Sequence, residues 1–238
     1  MTADTTPAHG RAAPRPRPWG RIKDPVPALS HWAGALLSTA GLVLLLTRTA
    51  GRPWWEIVAF TIYGVTLVQL YFASALAHSL HCSREAEERL NRFDYAAIFL
   101  LIAGTYTPIC AVTLRGPWGA SLLAAVWATA AFGIACLFGK APRHRLRVVT
   151  YIVMGWLGVV VVVPLLRILP PPAIALLVGG GVIYTLGAAV FVTDRPHLWP
   201  GRFAAHDLWH FMVLAGSACH FAAILKFVAP PGRTGGFA

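Results

Sequence analysis

Charged residues are scarce in this sequence. Asp, Glu, Lys and Arg together make up 12% of its 238 residues, whereas apolar residues make up 57%. A soluble domain carries about 25% charged residues. Half of that level, combined with long uncharged runs, means that most of the surface faces lipid. The composition therefore argues against an ordinary soluble domain and favours an integral membrane protein.

Cysteine is also rare, and its spacing excludes the sites that cysteine usually builds. The four cysteines contain no CxxC pair, and three of them lie inside apolar runs, where a thiol packs as a small hydrophobe. We therefore predict neither a disulfide framework nor a cysteine-rich metal site. The N-terminus lacks the apolar core of a signal peptide. Residues 1–28 are rich in Pro and Arg instead, which predicts a disordered tail.

Acidic residues are outnumbered by basic ones, and the net charge is +11. Such a balance can indicate a nucleic-acid partner. Here, however, the basic residues lie in short segments between apolar runs, which is the topological signature of a membrane protein. We therefore expect membrane lipid rather than nucleic acid as the partner.

Seven apolar stretches have the roughly 20 residues that a helix needs to cross the hydrocarbon. The breaks between them carry turn sequences such as Arg-Gly-Pro and Pro-Pro-Pro, and no internal repeat points to an inverted-repeat transporter. We predict an all-α bundle of seven transmembrane helices over residues 29–228, followed by a short tail, 229–238. The predicted helices cover about 29–47, 54–80, 93–113, 118–138, 148–166, 173–193 and 206–228.

The basic residues also predict the orientation. Fourteen Lys and Arg residues lie on the N-terminal side of the predicted bundle and six on the opposite side. Because positive residues accumulate in cytoplasmic segments, we predict that the N-terminus is cytoplasmic and the C-terminus outside.

The most distinctive polar residues are two histidines at the start of the last apolar run. His206 and His210 are four residues apart, so they share a helix face about 6 Å apart along its axis. That spacing lets two imidazoles bind one metal ion, as in the His-Glu-x-x-His helices of zinc hydrolases. Asp207 lies between them, and we interpret it as a helix-terminal or supporting carboxylate.

Further polar residues fall at the same predicted depth. His78 lies near the cytoplasmic end of helix 2, and Asp94 falls in the first turn of helix 3. Ser74 is one turn deeper than His78 on the same face. Ionisable groups inside a membrane are costly and tend to mark function. His31, at the start of helix 1, is a possible supporting group on the same side.

This set fits a catalytic zinc site. Three histidines, His78, His206 and His210, leave a tetrahedral ion one open position, and zinc lowers the pKa of water there to about 7. Asp94 is the candidate general base, and Ser74 is a candidate hydrogen-bond donor to an oxyanion or a neighbouring group. Copper, nickel and iron accept the same ligand type. Simpler roles also stay open: an interfacial histidine for His78 and a helix-terminal carboxylate for Asp94.

The combination resembles the hemolysin III proteins, the bacterial branch of the progestin and adipoQ receptor (PAQR) family. The resemblance rests on Ser74–His78, Asp94, the Ile102–Pro108 segment and His206–His210 followed by Gly216-Ser217. It implies a multi-pass protein of the bacterial inner (plasma) membrane with its N-terminus inside. It also implies zinc bound by the residues matching His78, His206 and His210, with Asp94 beside the zinc water.

Three functions are compatible with these features. Relatives in the wider superfamily include ceramidases, so the first hypothesis is a zinc-dependent hydrolase of a lipid amide or ester. The second is a pore-forming, cytolytic protein, although no ring of repeated charges defines a pore. The third is a receptor-like or membrane-homeostasis protein. In the last two, zinc is structural. The oligomeric state and the substrate are not indicated by the sequence.

Overall fold

The computed structural model describes residues 22–139, 144–199 and 202–229, and nearly all of these residues are helical. Residues 1–21 of the predicted N-terminal tail and residues 230–238 of the predicted C-terminal tail lie outside the described residues. Within these described ranges, seven helical segments are long and apolar enough to cross a membrane, which confirms the predicted all-α bundle. The helices are α1 (Pro25–Thr49), α2 (Trp54–Ser79), α3 (Arg84–Pro108), α4 (Pro117–Leu137), α5 (His144–Trp156), α6 (Val162–Ile168), α7 (Pro171–Thr193) and α8 (Ala205–Ala223).

Three of the spans change their helix type part-way. A 3-10 segment, Leu157–Val161, joins α5 to α6, so that these two helices form one span. π-helical turns extend α3 over Ile109–Thr113 and α8 over Ile224–Val228. The first π turn directly follows Pro108, which has no N–H to donate and whose ring crowds the preceding turn. Pro108 therefore changes the hydrogen-bond register of the helix without ending it.

The start of α3 differs from the prediction. The helix begins at Arg84, nine residues before the predicted start at 93, so the charged segment expected to be a loop is helical. The Ser83 hydroxyl caps it by accepting a hydrogen bond from the Ala86 N–H at 3.4 Å. Two ion pairs at i,i+4 spacing support these turns: Arg84–Glu88 at 3.3 Å and Arg89–Glu85 at 2.6 Å. The apolar pattern of the sequence did not predict these first turns of α3, because it indicates only the apolar part of a helix.

Close packing between α1 and α2 depends on a glycine. Gly34 lies directly over the Tyr71 ring, and a Cβ at this position would be 2.6 Å from the ring's Cδ1. The ring has little room to move, because its hydroxyl donates to the Val213 carbonyl of α8 at 3.5 Å and its edge packs on the His31 imidazole. Gly34 therefore brings three helices together next to the polar residues of the bundle.

We predict that Gly34→Ala lowers the free energy of unfolding by about 1–3 kcal/mol, the usual cost of overpacking a filled site. The measurement is the thermal unfolding midpoint of the purified protein in detergent. Gly179→Ala is the matched control, because Gly179 is helical and a Cβ added there would meet no neighbouring atom within 4 Å. Equal midpoints for both variants would contradict this account of the α1–α2 contact.

Candidate metal centre

Three histidines from two helices converge in the bundle. His78 is the second-last residue of α2, and His206 and His210 lie in the first two turns of α8. One nitrogen of each ring lies within 4.8 Å of the others, and the Nε2 atoms of His206 and His210 are 3.1 Å apart. No second set of three His, Cys, Asp or Glu side chains comes together in this way within the described parts of the chain. The structure thus joins the three predicted histidines.

The donor set fits a zinc ion. With Zn–N bonds of about 2.0–2.1 Å, two ligands of a tetrahedral ion lie roughly 3.3 Å apart. The observed 3.1 Å between His206 and His210 is close to that separation. His210 is buried and the other two rings are partly buried. Three imidazole nitrogens with space beside them are the arrangement of a three-coordinate protein site with one open position.

Asp24 holds the His78 ring on the side that faces away from the other two histidines. From the sequence, Asp24 was predicted to lie in the disordered tail. His78 Nδ1 is 3.0 Å from the Asp24 carboxylate. A carboxylate only accepts, so Nδ1 carries the proton and Nε2 is left for an ion. This hydrogen bond holds the pKa of Asp24 below its ordinary value, although burial opposes the shift. Asp24 is therefore an ionised partner of His78.

The position of Asp24 follows from how α1 begins. Asp24 directly precedes Pro25, the first residue of the helix, which is four residues before the predicted start at 29. Asp followed by Pro is a typical helix-start signal. The Asp24 side chain makes no capping bond. Its backbone N–H donates to the His78 carbonyl at 2.9 Å, so the start of α1 is fixed to the end of α2.

His31 supports His210 in a similar way. His210 Nδ1 is 3.0 Å from His31 Nε2, and the His31 ring is buried between His210 and Tyr71. With Nδ1 facing His31, the Nε2 atom of His210 is the one that faces His206. His31 was a possible supporting group in the sequence, and it lies directly against the cluster. Helix α1 and the residue directly before it thus contact two of the three histidines, and neither adds a histidine to that group.

Asp94 and Ser74 lie beside the cluster rather than in it. Both line a cavity of about 200 Å³ that also contacts the three histidines. Ser74 lines this cavity near the Asp94 carboxylate, and His78 and Arg147 are close enough to act on the charge of that carboxylate. Asp94 lies ten residues after the start of α3, not in the first turn as predicted. The helix dipole acts within the first turn, so the simpler role of Asp94 as a helix-terminal carboxylate is wrong.

The remaining polar residues of α8 have structural partners. Asp207 accepts a hydrogen bond from the Ala204 N–H at 2.7 Å, which confirms its interpretation as a helix-terminal carboxylate. His220, four turns further along the helix, has its Nδ1 2.9 Å from the Gly216 carbonyl. Its ring packs on Tyr184. Neither residue is part of the three-histidine group.

Comparison with known proteins identifies the family. A family described as "Haemolysin-III related" matches residues 19–221. The chain belongs to this family. It is 40% identical to Hemolysin-3 of Bacillus cereus over 205 residues, which cover 85% of the chain and 90% of that protein. The Hemolysin-3 homolog of Bacillus subtilis (strain 168) is 38% identical, with 84% and 92% covered. The heptahelical transmembrane protein ADIPOR2 of Oryza sativa subsp. japonica is 31% identical, with 73% and 82% covered.

These relatives agree with the fold. A haemolysin III family chain with seven membrane-crossing helices is a multi-pass integral membrane protein. The resemblance drawn from the Ser74–His78, Asp94 and His206–His210 motifs is confirmed at the level of the family. The match extends over α1 and therefore includes Asp24 and His31.

We predict that Asp24→Asn weakens zinc binding by about tenfold, since loss of a carboxylate behind a histidine ligand usually costs 10- to 100-fold in metal affinity. The measurement is a competition titration of the purified protein with a chelator of known affinity. Glu85→Gln removes one exposed carboxylate from the same end of the bundle and is expected to bind zinc as the unmodified protein does. The same affinity in both variants would disprove the role of Asp24.

Proposed function

We propose that the protein is a zinc-dependent hydrolase that cleaves an amide or ester bond of a membrane lipid. The observation that carries the proposal is the three-histidine cluster in the wall of a cavity that also exposes a carboxylate, Asp94. Purely structural zinc sites are usually closed by four protein ligands. Three histidines beside an open cavity favour a site that admits a substrate.

His78, His206 and His210 hold the zinc ion in this proposal. Zinc supplies a Lewis acid that polarises a carbonyl and acidifies water. Asp24 and His31 fix two of the ligand rings from behind, so that the site needs little rearrangement before it binds the ion. The proposed ligand set is the one indicated by the sequence, with His31 as the supporting residue that the sequence suggested and Asp24 as one that it did not.

Asp94 is the proposed general base. Its carboxylate accepts a proton from the attacking water and later returns it to the leaving group. In this proposal the Ser74 hydroxyl, which lines the same cavity near Asp94, donates to the carboxylate and so fixes its orientation towards the cavity. This role replaces the direct contact with an oxyanion that the sequence suggested as one possibility for Ser74.

The cavity selects for a lipid. It continues from the histidines along α3 and α5, where apolar side chains such as Ile98, Ile102 and Ile152 line it. These side chains accept an acyl chain and exclude bulk water from the reacting bond. The histidines lie at the ends of their helices, the depth at which headgroups and acyl carbonyls occur. With the orientation predicted by the basic residues, this is the inner leaflet of a bacterial plasma membrane.

A second candidate function follows from the name of a relative. The Bacillus cereus protein is called Hemolysin-3, which favours a membrane-permeabilising protein with a structural metal ion. A pore has no need of a general base. Dye leakage from liposomes that persists in Asp94→Asn, without lipid turnover by the unmodified protein, would support this candidate against the hydrolase.

We predict that purified protein in liposomes hydrolyses a lipid amide or ester, and that chelation stops the reaction. Asp94→Asn is expected to lower kcat by about 100-fold or more, the usual contribution of a general base, while zinc content stays unchanged. Glu88→Gln is the control, because Glu88 is an exposed carboxylate of the same helix that pairs with Arg84. No turnover of any lipid amide or ester by protein with bound zinc would contradict the proposal.

A further inference from the structure

A second cavity lies outside the histidine site. It has a volume of about 580 Å³ and lies between the start of α3, the end of α4 and the start of α5. Helix ends mark the level at which a membrane-spanning chain enters or leaves the hydrocarbon. A cavity at three such ends lies where lipid headgroups meet acyl chains. Its position alone therefore makes a lipid the nearest available ligand.

The cavity is cationic. Among the residues that the structure describes, three arginines line it, Arg84, Arg92 and Arg147, and the one acidic side chain, Glu88, forms an ion pair with Arg84. Arg92 and Arg147 add two positive charges to this described lining; Asp94, which is close enough to Arg147 to act on its charge, lines the neighbouring cavity instead. The guanidinium group binds phosphate through two parallel N–H bonds. The charge and the donor type together favour a phosphate-bearing ligand.

Arg147 is held in place for such a contact. Its guanidinium lies over the Tyr95 ring, 3.6 Å from the ring centroid. The Tyr95 backbone carbonyl in turn accepts a hydrogen bond from the Tyr151 hydroxyl at 2.8 Å. A guanidinium whose flat face rests on an aromatic ring keeps its N–H groups at the edge, where they can bind an anion. Little side-chain freedom then remains to be lost on binding.

The other side of the cavity is apolar. Phe132 of α4 and Leu146 of α5 are 64% and 44% exposed, and both line the cavity. Phe99 forms its buried wall. A free phosphate ion would make no use of these apolar side chains. A phospholipid places its phosphate on the arginines and an acyl chain along Phe132 and Leu146.

We propose that this cavity binds the headgroup of an anionic glycerophospholipid. The site is distinct from the histidine cluster, although Asn91, Tyr95 and Arg147 line both cavities. The proposal requires no reaction and does not rest on the hydrolase proposal. Binding is measured with dialkyl ether forms of the lipids, which have no amide or carboxylic ester bond to hydrolyse, so the two proposals fail separately.

The test is native mass spectrometry of the full-length, delipidated protein in detergent, titrated with ether-linked phosphatidylglycerol or with ether-linked phosphatidylcholine of the same chain length. Phosphatidylglycerol is expected to bind more tightly, because the negative net charge of its headgroup is attracted to the positive charge of the lining. Arg92→Gln and Arg147→Gln are each expected to weaken its binding by roughly fivefold, the usual contribution of one basic residue to an anionic lipid contact.

Arg89→Gln is the matched control. Arg89 belongs to the same turns of α3 and carries the same charge, but it pairs with Glu85 and does not line the cavity. The proposal expects unchanged binding in Arg89→Gln and largely retained binding in the charge-conserving Arg92→Lys. A circular dichroism melt of each variant identifies loss of folding, and the Lys variant keeps the test usable where the Gln variant fails to fold.

Three results would overturn the proposal. Equal binding of the two lipids would remove the need for an anionic headgroup. Equal weakening in Arg89→Gln and Arg92→Gln would show a general surface attraction rather than a site. Saturation by soluble glycerol phosphate, with no retention of phosphatidylglycerol, would show that the ligand is a free phosphate.

Discussion

The hydrogen-bonding needs of buried imidazoles shape this end of the bundle. In hydrocarbon, a polar group without a partner costs several kcal/mol, and a membrane helix that carries histidines must provide partners from its neighbours. His78 is hydrogen-bonded to Asp24, and His210 is hydrogen-bonded to His31. Once these outer nitrogens are bound, the remaining ones face a common point, with 3.1 Å between the Nε2 atoms of His206 and His210. The proposed metal ion satisfies this last need.

Helix α1 has an unexpected importance in this arrangement. It supplies none of the three clustered histidines, yet Asp24, directly before its first residue, and His31, in its second turn, contact two of them from behind. Gly34 makes the contact possible, because its missing side chain lets α1 approach Tyr71 and places His31 against His210. The backbone bond from Asp24 to the His78 carbonyl holds the start of the helix in place. The first helix therefore helps to build the site as well as to anchor the bundle.

The sequence was sufficient for the bundle and for the three histidines. Apolar length sets the number of spans, and the alternating direction of successive helices brings His78 to the same depth as His206 and His210. The partners Asp24 and His31 were harder to assign, since they contact residues 54 and 179 positions away and such pairs depend on tertiary packing. The start of α3 was missed because its first turns are polar and are stabilised by i,i+4 ion pairs. Because α3 begins at Arg84, Asp94 does not lie at the helix terminus, and its simpler role as a helix-terminal carboxylate is excluded.

The central claim is that His78, His206 and His210 hold one metal ion. The most direct test is the metal content of the purified protein, measured by mass spectrometry of the elements in the unmodified chain, in His210→Ala and in His220→Ala. His220 is a partly buried histidine of the same helix that is bound to the Gly216 carbonyl instead. The account predicts one zinc per chain in the unmodified protein and in His220→Ala, and a loss of zinc in His210→Ala. An unmodified protein without stoichiometric metal, or a His210→Ala variant that keeps it, would contradict the account.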